Sequence, residues 1–387
     1  MTTPTVPTGL RMRDDFPLAP AGPVVAHAER HDSYPVHVTR SRVETHATLA
    51  RLLDGTGVAA VVADGGVEAL YGPELLAALR RPGREVISRS VPPGERSKSL
   101  ERATDLLHWL AGSELGRRDV VVNFGGGVVC DLGGWVASTY MRGVPYANVP
   151  TTLLAMVDGA LGGKLGVNHP VAKNLLGGFQ QPLGVVADVS YLRSLERRHL
   201  AAGLAECIKK AVIASPDYFD FIEGHAPRLL GCDLDALQRL VTTAAAIKTR
   251  LIERDPYEQD LRRPLNFGHT VGHPLETVTG YGPLLHGEAV AFGMAAEAGI
   301  ACARGWLPEG VLERLMRLLA ACGLPVCERD LPARVDAGAL LGAMEKVRLI
   351  RGGGLRWVLP VGLGDTVIAD DVGDAEVRAA LAIAGVL

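Results

Sequence analysis

The segment LNFGHTVGHPLE places His269 and His273 four residues apart, and His286 follows in LLHGEAV beside Gly287 and Glu288. On a helix, residues four apart project from one side. Two or three imidazoles with a carboxylate suit Zn²⁺ or a similar divalent ion. The spacing is not HExxH, and hydrogen-bonded core histidines are the competing explanation. Upstream, GLAECIKK sets Glu206 three residues before Lys209, with Lys210 next to it. Taken alone, that spacing reads as a helix-face ion pair.

Three further stretches hold chemistry-bearing residues. In NFGGGVVCDLGG an apolar run ends in Gly125, Gly126 and Gly127, and a helix is predicted to follow. Glycines at a helix start let phosphate oxygens approach free backbone N–H groups. The spacing is not GxGxxG, so a tight turn explains it as well. PPGERSKS carries Glu95 and Lys98 beyond a predicted strand and by itself reads as a solvated loop. The run from Val149 to Pro182 intersperses Thr151, Thr152, Asp158, Lys164, Asn168, Lys173 and Asn174 among apolar residues and glycines. Buried charge is costly unless paired or used, so two lysines in such a setting point to anionic groups.

The elements that must position these residues follow from hydrophobic patterning. YPVHVT, GVAAVVAD, EVISRSVP and DVVVNFGGG read as strands, and SLERATDLLHWLAGSEL as a helix between two of them. Such alternation predicts a parallel sheet covered by helices. From about Glu196 the chain turns Ala/Leu-rich, and four long segments read as amphipathic or buried helices. GLRWVLPVGLG and DTVIA are the last strand-like pieces. The fold class is therefore α/β: an N-terminal parallel-sheet domain over 34–195, then a mainly helical domain over 196–387. Residues 1–33, rich in proline and charge, form an extension.

Composition narrows the function. The 387 residues are 48% hydrophobic and 21% charged with net charge −3, and no basic block suggests nucleic acid or an anionic membrane. The six cysteines form no CxxC pair, so buried free thiols of a reducing compartment are expected. The first residues lack the apolar core of a signal peptide, and no run approaches the ~18 apolar residues of a membrane span. A cytoplasmic enzyme of small molecules is the expectation.

Together and in order, these motifs resemble those of the dehydroquinate synthase-like sugar phosphate cyclases, from about Tyr34 to Val367 and most densely from Gly125 to Glu288. The resemblance implies metal ligands Glu206, His269 and His286, with Zn or Co as the ion. It implies an NAD site formed by Asp64, Glu95, Lys98, Gly125, Gly126, Gly127, Asp131, Thr151 and Thr152. Asp158, Lys164 and Lys173 would border cofactor and substrate. Substrate contacts would come from Lys164, Asn174, Lys209, Lys248, Arg262, Asn266 and His273. Arg142, in TYMRG, matches an arginine that reaches into a neighbouring subunit's site, which implies a homodimer. The implied reaction oxidises a ring alcohol transiently, eliminates phosphate, reduces the carbonyl again and closes a carbocycle by intramolecular aldol addition.

The chain departs from the family pattern in two places. Where dehydroquinate synthases carry Asp-Lys-Lys it reads Val347-Arg348-Leu349, leaving Arg348 or Lys346 as the only stand-ins, and GGKTGVN reads GGKLGVN, with Leu165 in place of a hydroxyl. YEQDLRRP and the extension resemble the cyclases of sedoheptulose 7-phosphate, which make valiolone-type cyclitols. Lys248, Arg262 and Asn266 instead match the dehydroquinate synthases. The expectation is sedoheptulose 7-phosphate. The alternative is 3-deoxy-arabino-heptulosonate 7-phosphate or its amino analogue. A metal-dependent polyol dehydrogenase or an inactive binding protein is more distant.

Overall fold

A computed structural model describes residues 32–169, 172–257, 263–280, 282–350 and 354–386. Val36–Thr39 forms β1, and Ser41 caps the following α1 (Arg42–Leu52) by accepting from Glu44 N. The run VAAVVAD becomes β2 (Val58–Asp64), whose five central residues are all buried, as befits a parallel strand covered on both faces. α2 (Gly65–Leu79), β3 (Glu85–Val91), α3 (Leu100–Gly112), β4 (Val120–Gly125), α4 (Gly127–Thr139) and β5 (Tyr146–Pro150) follow. After a π-type turn at Ala155–Gly159, β6 (Lys164–His169) and β7 (Ala172–Phe179) form an antiparallel hairpin, and β8 (Gly184–Asp188) returns to the main sheet. The glycine-rich run Val149–Pro182, whose elements the patterning does not reveal, thus contains the hairpin.

The six-stranded sheet runs β1-β8-β5-β4-β2-β3, and every pairing is parallel. β3 lies on one side of β2 and β4 on the other, so the strand order reverses between β2 and β4. Ligands of open α/β sheets bind in the crevice beyond the carboxyl ends at such a switch point. Asp64 and Gly125, the last residues of these two strands, stand there.

Beyond Glu196 the chain is helical: α5 (Arg197–Ala214), α6 (Pro216–Leu230), α7 (Leu234–Arg254), α8 (His269–Val278), α9 (His286–Ala303), α10 (Glu309–Ala321), α11 (Ala337–Ile350) and α12 (Asp374–Ile383). A hairpin of β9 (Trp357–Gly362) and β10 (Asp365–Ala369) precedes α12. α5 is buried from Leu200 to Ile213 and α9 from Gly287 to Ala298, so these two helices sit at the centre of the largest apolar cluster. A helix that is apolar all round belongs in a core. Within these stretches even the polar side chains of Glu206, Lys209, Lys210 and Glu297 are dry. No described helix is long and apolar enough to cross a membrane. All six cysteines are free thiols.

Candidate active site

Glu206, on the fully buried face of α5, meets His269 at the start of α8 and His286 at the start of α9. Its Oε1 lies 3.6 Å from His269 Nε2 and 3.8 Å from His286 Nε2. One ligand atom from each of the three falls within 4.8 Å of the others. Glu206 Oε2 accepts from Lys209 Nζ at 2.5 Å and Lys210 Nζ at 3.3 Å, whereas Oε1 is buried without a hydrogen-bond partner among the described residues. An unmet buried acceptor is costly, and a divalent ion would satisfy it. Burial would raise the Glu206 pKa, but Lys209 and Lys210 outweigh it and hold the carboxyl well below the usual range. Burial, with the charges of Lys209 and His273, holds His269 well below the usual imidazole range, so it is neutral as a ligand must be.

The tautomers suit the same purpose. His269 Nδ1 lies 3.1 Å from Phe267 O, and a carbonyl can only accept, so Nδ1 carries the proton and Nε2 the free lone pair. His286 Nδ1 lies 3.0 Å from Glu276 Oε2, a carboxylate–imidazole pair of the kind that orients metal-bound histidines. Burial of His286, which disfavours its charged form, is outweighed by the neighbouring carboxylates of Glu206 and Glu276, and its pKa rises to about 10. A bound cation would replace that proton. Burial of Glu276 is likewise outweighed by His286, and its carboxyl falls to about 2. Lys173 Nζ donates to Glu276 Oε1 at 3.2 Å and lies 3.8 Å from Glu95 Oε1. The residues present fit a divalent ion.

Glu276 is the residue that motif reading passed over. The signal was available: 269, 273 and 276 fall on one helix face, and Glu276 is the next polar group on it. His273 completes the cluster from an exposed position, its ring centroid 4.8 Å from that of His269 and 5.8 Å from that of His286. Glu288, beside His286 in sequence, is turned elsewhere. It accepts from Leu285 N, capping α9, and pairs with Arg198 at 2.6 Å.

At the sheet's carboxyl edge the construction differs. Gly125 is buried, and a Cβ there would sit 2.9 Å from Val129 Cγ2 and 3.0 Å from Asp64 Cβ, so this glycine serves packing. Gly126 caps α4 without a side-chain bond, and a Cβ on Gly127 would meet nothing within 4 Å. The first N–H groups of α4 are therefore open to a phosphate. Thr151 Oγ1 is buried without a partner among the described residues, and Thr152 Oγ1 accepts from Ala155 N at 3.2 Å. Asp64 caps α2 by accepting from Gly66 N and Val67 N. The open helix start and the unmet hydroxyl fit a dinucleotide.

The β6–β7 hairpin joins the two parts. Lys98 is buried, contrary to the solvated-loop reading, and donates to Asp131 and, at 2.5 Å, to Asn174 Oδ1. Burial nevertheless pushes the Asp131 carboxyl up against the pull of Lys98. Asn168 Nδ2 donates to Glu95 Oε1 at 2.8 Å, and its Oδ1 accepts from Asn174 N. Asn174 has φ +54°, a left-handed conformation that asparagine tolerates. Asp158 accepts from Lys210 at 3.1 Å and from Lys248 at 2.9 Å, and Lys248 also donates to Asp158 O at 2.6 Å. Lys164 opens β6 at an exposed position, and Asn266 ends the short turn Arg263–Asn266 leading to α8. Arg262 lies outside the described residues. Arg142 is exposed on a kink where Met141, Arg142 and Gly143 have φ of 50°, 66° and 111°.

Both departures from the family pattern receive a structural answer. Leu165 is 7% exposed among core residues of α4, and a Cβ on Gly134 would lie 2.3 Å from its Cδ2. Leucine in place of a hydroxyl residue here adds to the packing against α4. Arg348 pairs with Glu345 at 3.3 Å and Asp374 at 3.7 Å, and Lys346 is exposed. The guanidinium of Arg348 is thus turned toward these carboxylates.

Residues 88–202 match the 3-dehydroquinate synthase N-terminal family and residues 203–347 the 3-dehydroquinate synthase C-terminal family. The chain is 50% identical to a 2-epi-valiolone synthase of Actinosynnema mirum over 376 residues, covering 97% of this chain and 98% of that one. It is 44% identical to a 3-dehydroquinate synthase of Symbiobacterium thermophilum over 349 residues, covering 90% and 96%. Among solved structures, ValA (2-epi-5-epi-valiolone synthase) of Streptomyces hygroscopicus subsp. jinggangensis, with NAD⁺ and Zn²⁺ bound, superposes with a TM-score of 0.86. The two are 31% identical over 94% of this chain and 99% of that one.

Proposed function

The chain belongs to the 3-dehydroquinate synthase-like family of sugar phosphate cyclases, and from that premise we propose that it converts sedoheptulose 7-phosphate into a valiolone-type C7 cyclitol, of the 2-epi-valiolone kind, with release of phosphate. The observation that carries this reading is the unmet Oε1 of Glu206 facing two imidazole Nε2 atoms. Half identity to a 2-epi-valiolone synthase over nearly the whole chain supports this substrate class. The net change is that of a carbon–oxygen lyase.

When bound, NAD would accept and return a hydride, and a divalent ion would polarise the oxygen on the sugar carbon that loses it. Glu206, His269 and His286 would hold the ion. Gly126, Gly127, Thr151 and Thr152, with Asp64, Glu95, Lys98 and Asp131 around them, would hold the dinucleotide. Asp158, pinned by Lys210 and Lys248, would stand between the two. Lys164, Lys173 and Lys209 would supply positive charge to the phosphorylated sugar. Asn174, Asn266 and Arg262 would orient its hydroxyls. His273, at the exposed rim of the cluster, would exchange protons with the substrate. Residues 34–195 would form the cofactor part and 196–387 the metal part. Arg142, held outward on its kink, would complete the site of a second copy in a cytoplasmic homodimer.

Lys248 bears on the choice between substrates. Its ammonium is already shared between Asp158 O and Oδ1, so it has less to offer a substrate carboxylate than a free cation. A single charge-assisted contact is worth roughly 1.5–3 kcal/mol, so losing the Asp-Lys-Lys lysine biases the site against 3-deoxy-arabino-heptulosonate 7-phosphate without excluding it. The test is kcat/KM for both sugar phosphates on one preparation, read by free phosphate. Absorbance of reduced NAD is followed alongside. Sedoheptulose 7-phosphate is expected to win with no build-up of reduced cofactor. A tenfold or greater preference for the deoxy acid, about 1.4 kcal/mol, would make this a dehydroquinate synthase. Reduced NAD growing with product would make it a dehydrogenase.

A further inference from the structure

Glu297 lies on α9, three turns beyond His286, and is fully buried. No motif singled it out, and it touches none of the three candidate ligands' donor atoms. Its carboxyl accepts three backbone N–H groups: Gly268 N at 2.8 Å, Thr270 N at 3.0 Å and Val271 N at 3.4 Å. Gly268 and Thr270 are the residues on either side of His269. These three donors belong to the first turn of α8, where no intrahelical acceptor exists. The residue at the cap, Gly268, has no side chain to serve them.

The backbone there is fixed by close approach as well. Gly268 has φ +81°, and a Cβ on it would meet Val290 O at 2.6 Å. A Cβ on Gly293 would fall 1.9 Å from Gly268 O. The turn carrying His269 thus lies flat against α9, and Glu297, one helical turn past Gly293, holds it there. The other candidate histidine, His286, begins this same helix. α9 therefore bears one imidazole directly and anchors the backbone of the other.

We propose that Glu297 is a positioning residue of the metal centre, acting as a cap supplied from α9 that sets the direction of His269. The proposal rests on reading Glu206, His269 and His286 as that centre. Groups of this kind act through the ligand they orient, and their loss commonly weakens metal binding about 10- to 100-fold.

The experiment uses the full-length protein loaded with Co²⁺, comparing wild type with Glu297→Ala, Glu297→Gln, Glu297→Asp and His269→Ala. Co²⁺ affinity is measured by chelator competition and ligand geometry by visible absorption, with far-ultraviolet circular dichroism and NAD affinity as controls. Glu297→Ala is expected to lose at least about tenfold in Co²⁺ affinity and to change the absorption bands, while Glu297→Gln, which keeps an accepting oxygen, loses less. Secondary structure and NAD affinity stay near wild type. Wild-type bands and affinity in Glu297→Ala overturn the proposal. If that variant does not fold, Glu297→Asp decides, since its shorter arm must shift the bands and an unshifted spectrum overturns the proposal. A wild-type protein that binds no Co²⁺, or a His269→Ala variant that binds it equally well, instead overturns the metal reading itself.

Discussion

The glycine-lined edge of the sheet and the histidine cluster at the heart of the helices solve opposite problems. At the edge, what matters is backbone: Gly126 and Gly127 leave the start of α4 uncovered, and Gly125 lets β4 pass close to Asp64. In the helical half, what matters is charge without water. Glu206, Lys209 and Lys210 have almost no exposed surface, and Asp158, Lys248, Glu276 and Lys173 extend the same network outward. A backbone site is assembled by omission of side chains and is damaged by adding atoms. A charged site is assembled by mutual compensation and is damaged by removing one partner, because the other is left buried and unpaired.

That contrast is open to direct attack, and the strongest blow falls on the metal side. Chelation of the holoenzyme, or His269→Ala, is expected to lower kcat/KM about a thousandfold or more, ~4 kcal/mol of lost stabilisation. Zn²⁺ or Co²⁺ should restore the chelated wild type and not the variant. NAD affinity of the metal-free protein, measured by calorimetry, should change far less. Equal losses at both sites would erase the distinction between them.

Next in size is the partner behind His286. Glu276→Gln removes the carboxylate shared by His286 and Lys173. Metal affinity by chelator competition should fall about 10- to 100-fold, with the fold unchanged by circular dichroism. A variant that holds metal like the wild type would reduce Glu276 to a packing residue.

The edge should respond to the reverse manipulation. Gly126→Val pushes new atoms toward Thr152, whose Cγ2 already lies 3.2 Å from a Cβ placed at Gly126, and covers the amides of α4. NAD should bind about tenfold more weakly, ~1.4 kcal/mol, while bound metal per chain stays as in wild type. Unchanged NAD affinity would take the glycine turn out of the site.

The smallest effect is on stability against pH. Burial pushes the Glu297 carboxyl up to about 8, against the pull of its three backbone donors. Unfolded, it would titrate near about 4.3. Between those values the native chain keeps a proton that the unfolded chain has released, so this group's contribution is full below the lower value and lost as pH rises through the upper one. Melting temperature of the wild type should therefore fall by a few degrees more than that of Glu297→Gln between these limits. Gly126→Val should show the wild-type slope. Parallel curves for wild type and Glu297→Gln would show that the carboxyl does not titrate in that range.

Much of this molecule is legible from its residues taken a few at a time. The apolar run of β2, the period of α7 and α10, the serine caps of α1 and α3 and the glycine stop after β4 are all short-range signals. Each expresses a constraint acting within one turn or one pleat. The same holds for His269 and His273, which share a helix face because they are four apart. His286 joined them only by its nearness in sequence, and linking Glu206 to them took the family resemblance, since no local rule joins residues on separate helices.

What the tertiary structure decided is the rest of each partnership. Lys173 reaches Glu276 across 103 residues, Arg198 reaches Glu288 across 90, and Glu297 reaches Gly268 from another helix. None of these leaves a periodic trace, because the partners meet only when helices and hairpin close on one another. Closure also assigned opposite fates to neighbours in sequence. Lys164 is exposed while Leu165 packs against Gly134, and Lys98 is buried in a segment that reads as a solvated loop. Strand alternation separates Lys164 from Leu165, but which face meets the core is fixed by what packs there. The sequence by itself thus determined which groups can do chemistry and on what elements they ride. Which of those groups are dry, paired and aimed at one another was decided by long-range packing, since burial and electrostatic compensation exist only once the chain has closed around them.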